Sequence, residues 1–219
     1  MNTNEIDRKL LAYYASIMSE IKNRAKVINS IYEKKVSTRY ILTDIEFCAL
    51  QLRKILELLL VSTLVANKKE YEKQSKSFDK NWSITKKLNE IKKINPDYFP
   101  IGMILSSAEL PSYITNHQLI DINSKEVFKE KDFYTTYSFT SKYLHVQNPF
   151  KAERIESKAG VFFADLKEYL TNIMNLLRIH RVTPCNGDII ICDIKNRRGK
   201  GEGIRVRYFE LEKSEITFP

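Results

Sequence analysis

Thr43-Asp-Ile-Glu-Phe-Cys-Ala-Leu-Gln-Leu-Arg-Lys-Ile-Leu-Glu-Leu-Leu-Leu-Val-Ser-Thr-Leu-Val-Ala-Asn67 is the stretch on which the fold turns. Its apolar residues recur at helical spacing, and beyond Ile55 they occupy nearly every face. A helix of that kind has to be covered on all sides, which predicts the buried centre of a helical bundle. Thr43 and Glu46 stand in the capping-box arrangement, so the helix is expected to start there. Gln51, Arg53, Lys54 and Glu57 interrupt the apolar run. Charges on a central helix must reach water, a partner or a functional cavity.

Working outward, Ile6, Leu10, Tyr13, Ile17, Ile21, Ile28 and Ile31 form a helical stripe upstream. Downstream, Trp82, Ile84, Leu88, Ile91 and Ile94 mark a short amphipathic helix stopped by Asn95-Pro96. Residues 97–123 read as a long connection with at most a short strand. Two further helices are expected over about 129–146 and 160–181. The period then changes: 188–194 and 204–211 are β-rich runs, joined by the glycine-containing connector Lys195–Gly203. The fold class is therefore mainly α, a helical bundle with a small C-terminal β-hairpin. Residues 1–182 form the bundle and 183–219 a hairpin appendage packed on it.

The 219 residues are 43% hydrophobic and 29% charged, which excludes a disordered polyelectrolyte. Cys48, Cys185 and Cys192 are scattered and odd in number, as expected of reduced thiols in a cytoplasmic protein. The N-terminal stretch has no apolar core behind a basic start, so no signal peptide is expected. The most apolar run, Leu58–Ala66, is less than half the roughly twenty residues a bilayer requires. No membrane partner is expected.

The formal charge of +9 is clustered: 67–95 and 195–207 each carry a net +5. Clustering favours a polyanionic partner, nucleic acid before an anionic membrane surface, over lysine faces that are merely solvated. Lys195, Arg197, Arg198 and Lys200 sit in the glycine-punctuated connector, where backbone and basic side chains can approach phosphate closely. They are the candidate RNA-binding residues; the other reading is a turn kept soluble and strand edges kept apart.

Three histidines are present. His145 falls at the end of its helix, where the dipole favours the protonated form and acid–base chemistry near neutrality is accessible. An ordinary helix cap is the competing role. His180, Cys185 and Cys192 match no zinc spacing, and Gly199-Lys-Gly-Glu-Gly203 lacks the context of a phosphate loop. No metal or cofactor is expected. No serine has nucleophile-elbow spacing.

Asp44-Ile-Glu-Phe-Cys-Ala-Leu-Gln-Leu-Arg-Lys-Ile-Leu-Glu-Leu58, Ile94-Asn-Pro-Asp-Tyr-Phe-Pro100 and Tyr143-Leu-His-Val-Gln-Asn-Pro-Phe150 together resemble bacterial helical proteins of the HEPN-like type. His145 followed by Asn148-Pro149-Phe150 is the most specific element. The resemblance implies an all-α bundle that dimerises through the helices bearing the site. It also implies a metal-independent endoribonuclease of a toxin–antitoxin, abortive-infection or antiviral defence system, with RNA as substrate and a cognate antitoxin or defence-system protein as partner. His145 matches the family's histidine. The positions where the family carries arginine hold Ser138, Phe139 and Thr140. The cation then falls to Lys142, one turn before His145, or to Arg53 from the central helix. Lys142 as a solvated lysine and Arg53 as an ion-pair partner of Glu57 are the structural alternatives. Asn148 either caps the helix end or binds phosphate. A homodimer is expected through helix 129–146, whose Phe133, Tyr134, Tyr137, Phe139 and Tyr143 put aromatic rings on more than one face. The runner-up function is a catalytically inactive dimerisation or interaction module that scaffolds or regulates a partner.

Overall fold

The computed structural model describes residues 3–74, 84–105, 119–121, 126–145, 155–194 and 203–210. Helix α1 (Thr3–Tyr32) buries Tyr14, Ile17, Met18, Ile21, Ala25, Ile28 and Ile31. The stripe runs through Tyr14 rather than the expected Tyr13, which is 61% exposed. Lys34 ends the helix in the left-handed conformation (φ 57°), with the Lys35 amide closing back on the Ser30 carbonyl at 2.9 Å.

Helix α2 (Ile41–Ala66) begins two residues before the expected capping box. Glu46 is exposed, and the buried Asp44 does the work instead. Its carboxylate accepts hydrogen bonds from the Thr38 amide at 2.7 Å and the Ser37 hydroxyl at 2.8 Å. Burial pushes the Asp44 pKa up, but those hydrogen bonds outweigh it and hold the carboxyl below its ordinary value. The preceding turn is thereby tied to the first turn of α2.

As the all-round apolar pattern requires, α2 is the centre of the bundle. It packs against α1, α3 (Lys68–Gln74), α4 (Ile84–Ile94), α5 (Glu130–Leu144) and α6 (Ala159–Arg178). A 3₁₀ turn (Ile155–Lys158) leads into α6.

The C-terminal runs pair as expected. Strand β4 (Ile189–Asp193) lies antiparallel to β5 (Arg205–Phe209), with Ile189 opposite Phe209 and Asp193 opposite Arg205. The sheet is larger than a hairpin, however. The helix expected to reach 181 stops at Arg178, and Ile179–Val182 become strand β3, paired with β4 on one side and β1 (Ile101–Leu105) on the other. A three-residue β2 (Leu119–Asp121) extends β1, giving the order β2-β1-β3-β4-β5, all antiparallel. The stretch 97–123 thus contributes two strands where one at most was expected. Long-range pairing overrides helix periodicity at Ile179–Val182, where β-branched residues fit a pleated surface.

Gly102 on β1 lets the sheet approach α6 closely: a Cβ there would meet the Leu176 backbone at 3.4 Å. His180, fully buried on β3, locks the sheet to α1. Its Nδ1–H donates to the Leu177 carbonyl at 3.0 Å, which leaves Nε2 to accept from the Tyr14 hydroxyl at 2.8 Å. Burial lowers the His180 pKa from 6.5 to about 4, only partly offset by the Leu177 carbonyl, and raises the Tyr14 pKa.

The unfolded chain therefore takes up a proton at His180 below pH 6.5, while the folded chain resists until about pH 4. The stability this group contributes is complete above 6.5 and declines as pH falls through that window, by about 3 kcal/mol in all. Urea unfolding between pH 7 and pH 4 is expected to show this loss. The Tyr14→Phe/His180→Phe double variant should have a shallower pH slope; an unchanged slope would assign the loss to other groups.

Candidate functional site at the end of α5

Helix α5 is positioned at its start by Asp132, whose carboxylate accepts from the Lys129 amide at 2.9 Å. Its inner side is aromatic. Phe139 stacks parallel to Phe162 of α6 at 5.5 Å and meets Tyr169 at 5.0 Å, and Tyr143 lies edge-on to Phe162 at 4.5 Å. Phe133 is buried and Tyr137 faces α2. The aromatics that suggested a second chain are thus largely taken up within one: α5 is wedged between α2 and α6, so two of its faces are internal. Tyr134, 43% exposed, is the one that remains open to solvent.

Arg53 crosses from α2 onto this helix. Its guanidinium donates to the Ser141 hydroxyl at 3.2 Å and to the Tyr137 hydroxyl, with its central carbon 4.1 Å from the Tyr137 ring centroid. Nε lies 3.5 Å from the Glu57 carboxylate, which Lys54 approaches at 2.9 Å. The side chain is 24% accessible. The ion pair with Glu57 expected of Arg53 is present, and its remaining donors are taken up by the hydroxyls of Tyr137 and Ser141.

Ser138, Lys142 and His145 lie on the exposed side of the same helix end. His145 is the residue at which the helix stops, its backbone extended (φ −119°, ψ 144°). Arg53 reaches Ser141, four residues before His145, while Lys142 and His145 are exposed. Asn148, and Lys195, Arg197, Arg198 and Lys200, lie outside the described residues. Tyr137 was expected at a dimer surface rather than beside Arg53, and Ser141 was not singled out from sequence. The two hydroxyls one turn apart are visible in the sequence, but the arginine that meets them is more than eighty residues away.

Several lysines of the segment 67–95 are held in ion pairs. Lys87 is buried, donating to the Tyr71 hydroxyl at 2.7 Å and lying 3.3 Å from Glu90. Burial alone would lower its pKa, but the hydrogen bonds to Tyr71 and Glu90 leave it raised. Lys68, Lys73 and Lys92 pair with Glu72, Glu70 and Glu130.

Cys192 faces His180 across the β3–β4 ladder, whereas Cys185 donates to Asn67 at 3.2 Å in a separate polar cluster. Among the described residues no group of three or more His, Cys, Asp or Glu side chains is arranged to hold a metal ion, and no described helix is long and apolar enough to cross a membrane.

Fold and site together define a mainly α-helical protein with a small antiparallel sheet. No protein-family model matches the chain, and no curated protein or solved structure matches it.

The Arg53–Tyr137 contact combines a hydrogen bond with a cation over a ring, partly withdrawn from water. A double-mutant cycle with Arg53→Met and Tyr137→Leu is expected to give a coupling free energy of about 1 kcal/mol in chemical denaturation. Additive single effects would show that the two side chains are merely adjacent.

Proposed function

We propose that the protein binds RNA and acts as a metal-independent endoribonuclease at the C-terminal end of α5, in keeping with its resemblance to HEPN-like proteins of toxin and defence systems. Arg53 carries the reading: a partly accessible guanidinium held between Tyr137 and Ser141, one turn ahead of the exposed His145. A cation and an imidazole at one helix end suit attack of a ribose 2′-hydroxyl on the adjacent phosphorus. In that reaction the 2′-oxygen forms the new bond to phosphorus, and the bond to the 5′-oxygen breaks. His145 moves a proton from the attacking hydroxyl or to the leaving oxygen, while Arg53 and Lys142 steady the charge on the phosphoryl oxygens. Pairing of two copies across this end of the bundle would supply the second imidazole that such a transfer uses.

The second reading is a catalytically silent interaction module. It is favoured by the occupation of Arg53 by Glu57 and two hydroxyls, and by Ser138, Phe139 and Thr140 standing where the resemblance implies arginine. The roughly 40% exposure of Val27, Phe47 and Leu50 on α1 and α2 gives such a module apolar surface to offer.

Cleavage of labelled single-stranded RNA in excess EDTA separates the two. On the first reading the unaltered protein cuts and His145→Ala cuts about 10²–10⁴-fold more slowly at an unchanged melting temperature. Equal cutting by the variant, or a requirement for added divalent metal, removes His145 from the chemistry. No cutting together with retained RNA affinity selects a binding role.

A further inference from the structure

The sheet has two unlike faces. Gly102, His180, Cys192 and Val206 lie in one cross-strand row, and Val182, Ile190 and Tyr208 in the next. This face packs on the helices: the Gly102 position abuts Leu176 of α6, and His180 bonds Tyr14 of α1. The intervening residues point the other way. There Ile101, Arg181, Ile191 and Arg207 form one row across four strands, followed by Ile179, Asp193 and Arg205, and on the other side by Ile189 and Phe209. Arg207 is exposed, Phe209 is 43% exposed, and Arg181, Arg205, Ile189 and Ile191 are half-buried.

Three guanidiniums thus share a flat surface with one carboxylate. Arg205 and Arg207 are about 7 Å apart along β5, and Arg181 is about 10 Å from Arg207 across two strand spacings. Neither Arg205 nor Arg207 is held by an ion pair among the described residues. Arg181 donates to the Thr183 hydroxyl at 3.4 Å, and Arg207 is the most exposed of the three. An exposed aromatic ring beside a set of cations is the combination on which single-stranded nucleic acid is held, phosphates on the cations and a base on the ring. A duplex keeps its bases stacked internally and cannot use the ring.

We propose that this outer sheet face is a binding surface for single-stranded RNA, with Arg181, Arg205 and Arg207 on phosphates and Phe209 stacked against a base. The inference rests on the RNA reading above and gives it a surface separate from the end of α5. It requires no cleavage.

The test is fluorescence anisotropy of a short labelled oligouridine titrated at several salt concentrations. Loss of three phosphate contacts in Arg181→Ser/Arg205→Ser/Arg207→Ser should flatten the log-affinity against log-salt slope by about 2. Phe209→Ala should weaken binding about tenfold with the slope unchanged. The corresponding triple Lys variant should keep the slope. If the unaltered protein binds no oligouridine, the RNA reading and this inference fall together. If it binds and the triple Ser variant keeps the parental slope, the RNA reading stands and this face is excluded. Binding to phosphatidylserine vesicles without oligouridine binding overturns the proposal in favour of a membrane surface. Should the Ser variant not fold, photo-crosslinking of 4-thiouridine RNA to the unaltered protein decides. Crosslinks in β3–β5 peptides support the proposal, and crosslinks confined to the helices overturn it.

Discussion

A helix that is apolar on nearly every side cannot leave any side to water, and α2 imposes that condition on the remainder of the chain. Leu52, Ile55, Leu56 and Leu59 are all fully buried. Each such burial contributes about 1.5–3 kcal/mol, several times the helix propensity of any one residue. The arrangement that satisfies them sets α1, α5 and α6 around α2, with α3 and α4 toward its end. Polar groups on α2 then have few exits. Ser62 and Thr63 turn back onto the Leu59 and Leu60 carbonyls at 2.7 and 2.8 Å. Gln51 reaches Arg24 at 2.7 Å in the α1 seam, and Arg53 leaves through the α5 seam. The position of Arg53 beside Tyr137 and Ser141 follows from the covering of α2.

Apolar packing of this kind is tolerant of small shifts, whereas the sheet is attached by directional polar contacts. Tyr14 and His180 pin β3 to α1. A second set gathers around Asn67, where α2 gives way to α3. Its side-chain oxygen accepts from the Asn95 amide at 2.9 Å and from the Cys185 backbone at 3.2 Å, and Asn95 also donates to the Thr183 carbonyl at 2.7 Å. One buried amide therefore joins the end of α2, the end of α4 and the β3–β4 turn. A buried group left without its partner costs about 1–3 kcal/mol. The cluster accordingly favours one placement of the sheet over neighbouring ones that bury the same apolar area.

The helices were legible because their information is local. The spacing of Ile17, Ile21 and Ile28, the all-round pattern after Ile55 and the stop at Asn95-Pro96 can each be read from adjacent residues. The β4–β5 pair was legible for the same reason, through the alternation Ile204, Val206, Tyr208 against Arg205, Arg207. What escaped reading depends on distant partners. Ile179–Val182 continue a helical apolar pattern and become a strand only because β1 and β4 flank them. Asp44 replaces Thr43 and Glu46 at the start of α2 because the Ser37-Thr38 turn folds onto it. At the candidate site His145 and Arg53 were identifiable as residue types, but the pairing of Arg53 with Tyr137 and Ser141 spans more than eighty residues. No local pattern encodes such a pairing.

Charge follows the same division between composition and arrangement. By composition, 67–95 and 195–207 are equally basic. In the first, Lys68, Lys73, Lys87 and Lys92 each have a carboxylate within 4.0 Å. The exposed pairs among these, Lys68–Glu72, Lys73–Glu70 and Lys92–Glu130, add about 0–1 kcal/mol of stability apiece. Their larger effect is on the field, since a lysine beside a glutamate projects little potential beyond a Debye length of about 8 Å. The +5 of 67–95 already counts Glu70, Glu72 and Glu90, so of these pairs only Lys92–Glu130 draws on a carboxylate outside the segment. On β5, by contrast, Arg205 and Arg207 share their sheet face with Arg181 and the single carboxylate of Asp193. Three arginines and one aspartate thus stand on the sheet face opposite the one on which α1 and α6 pack.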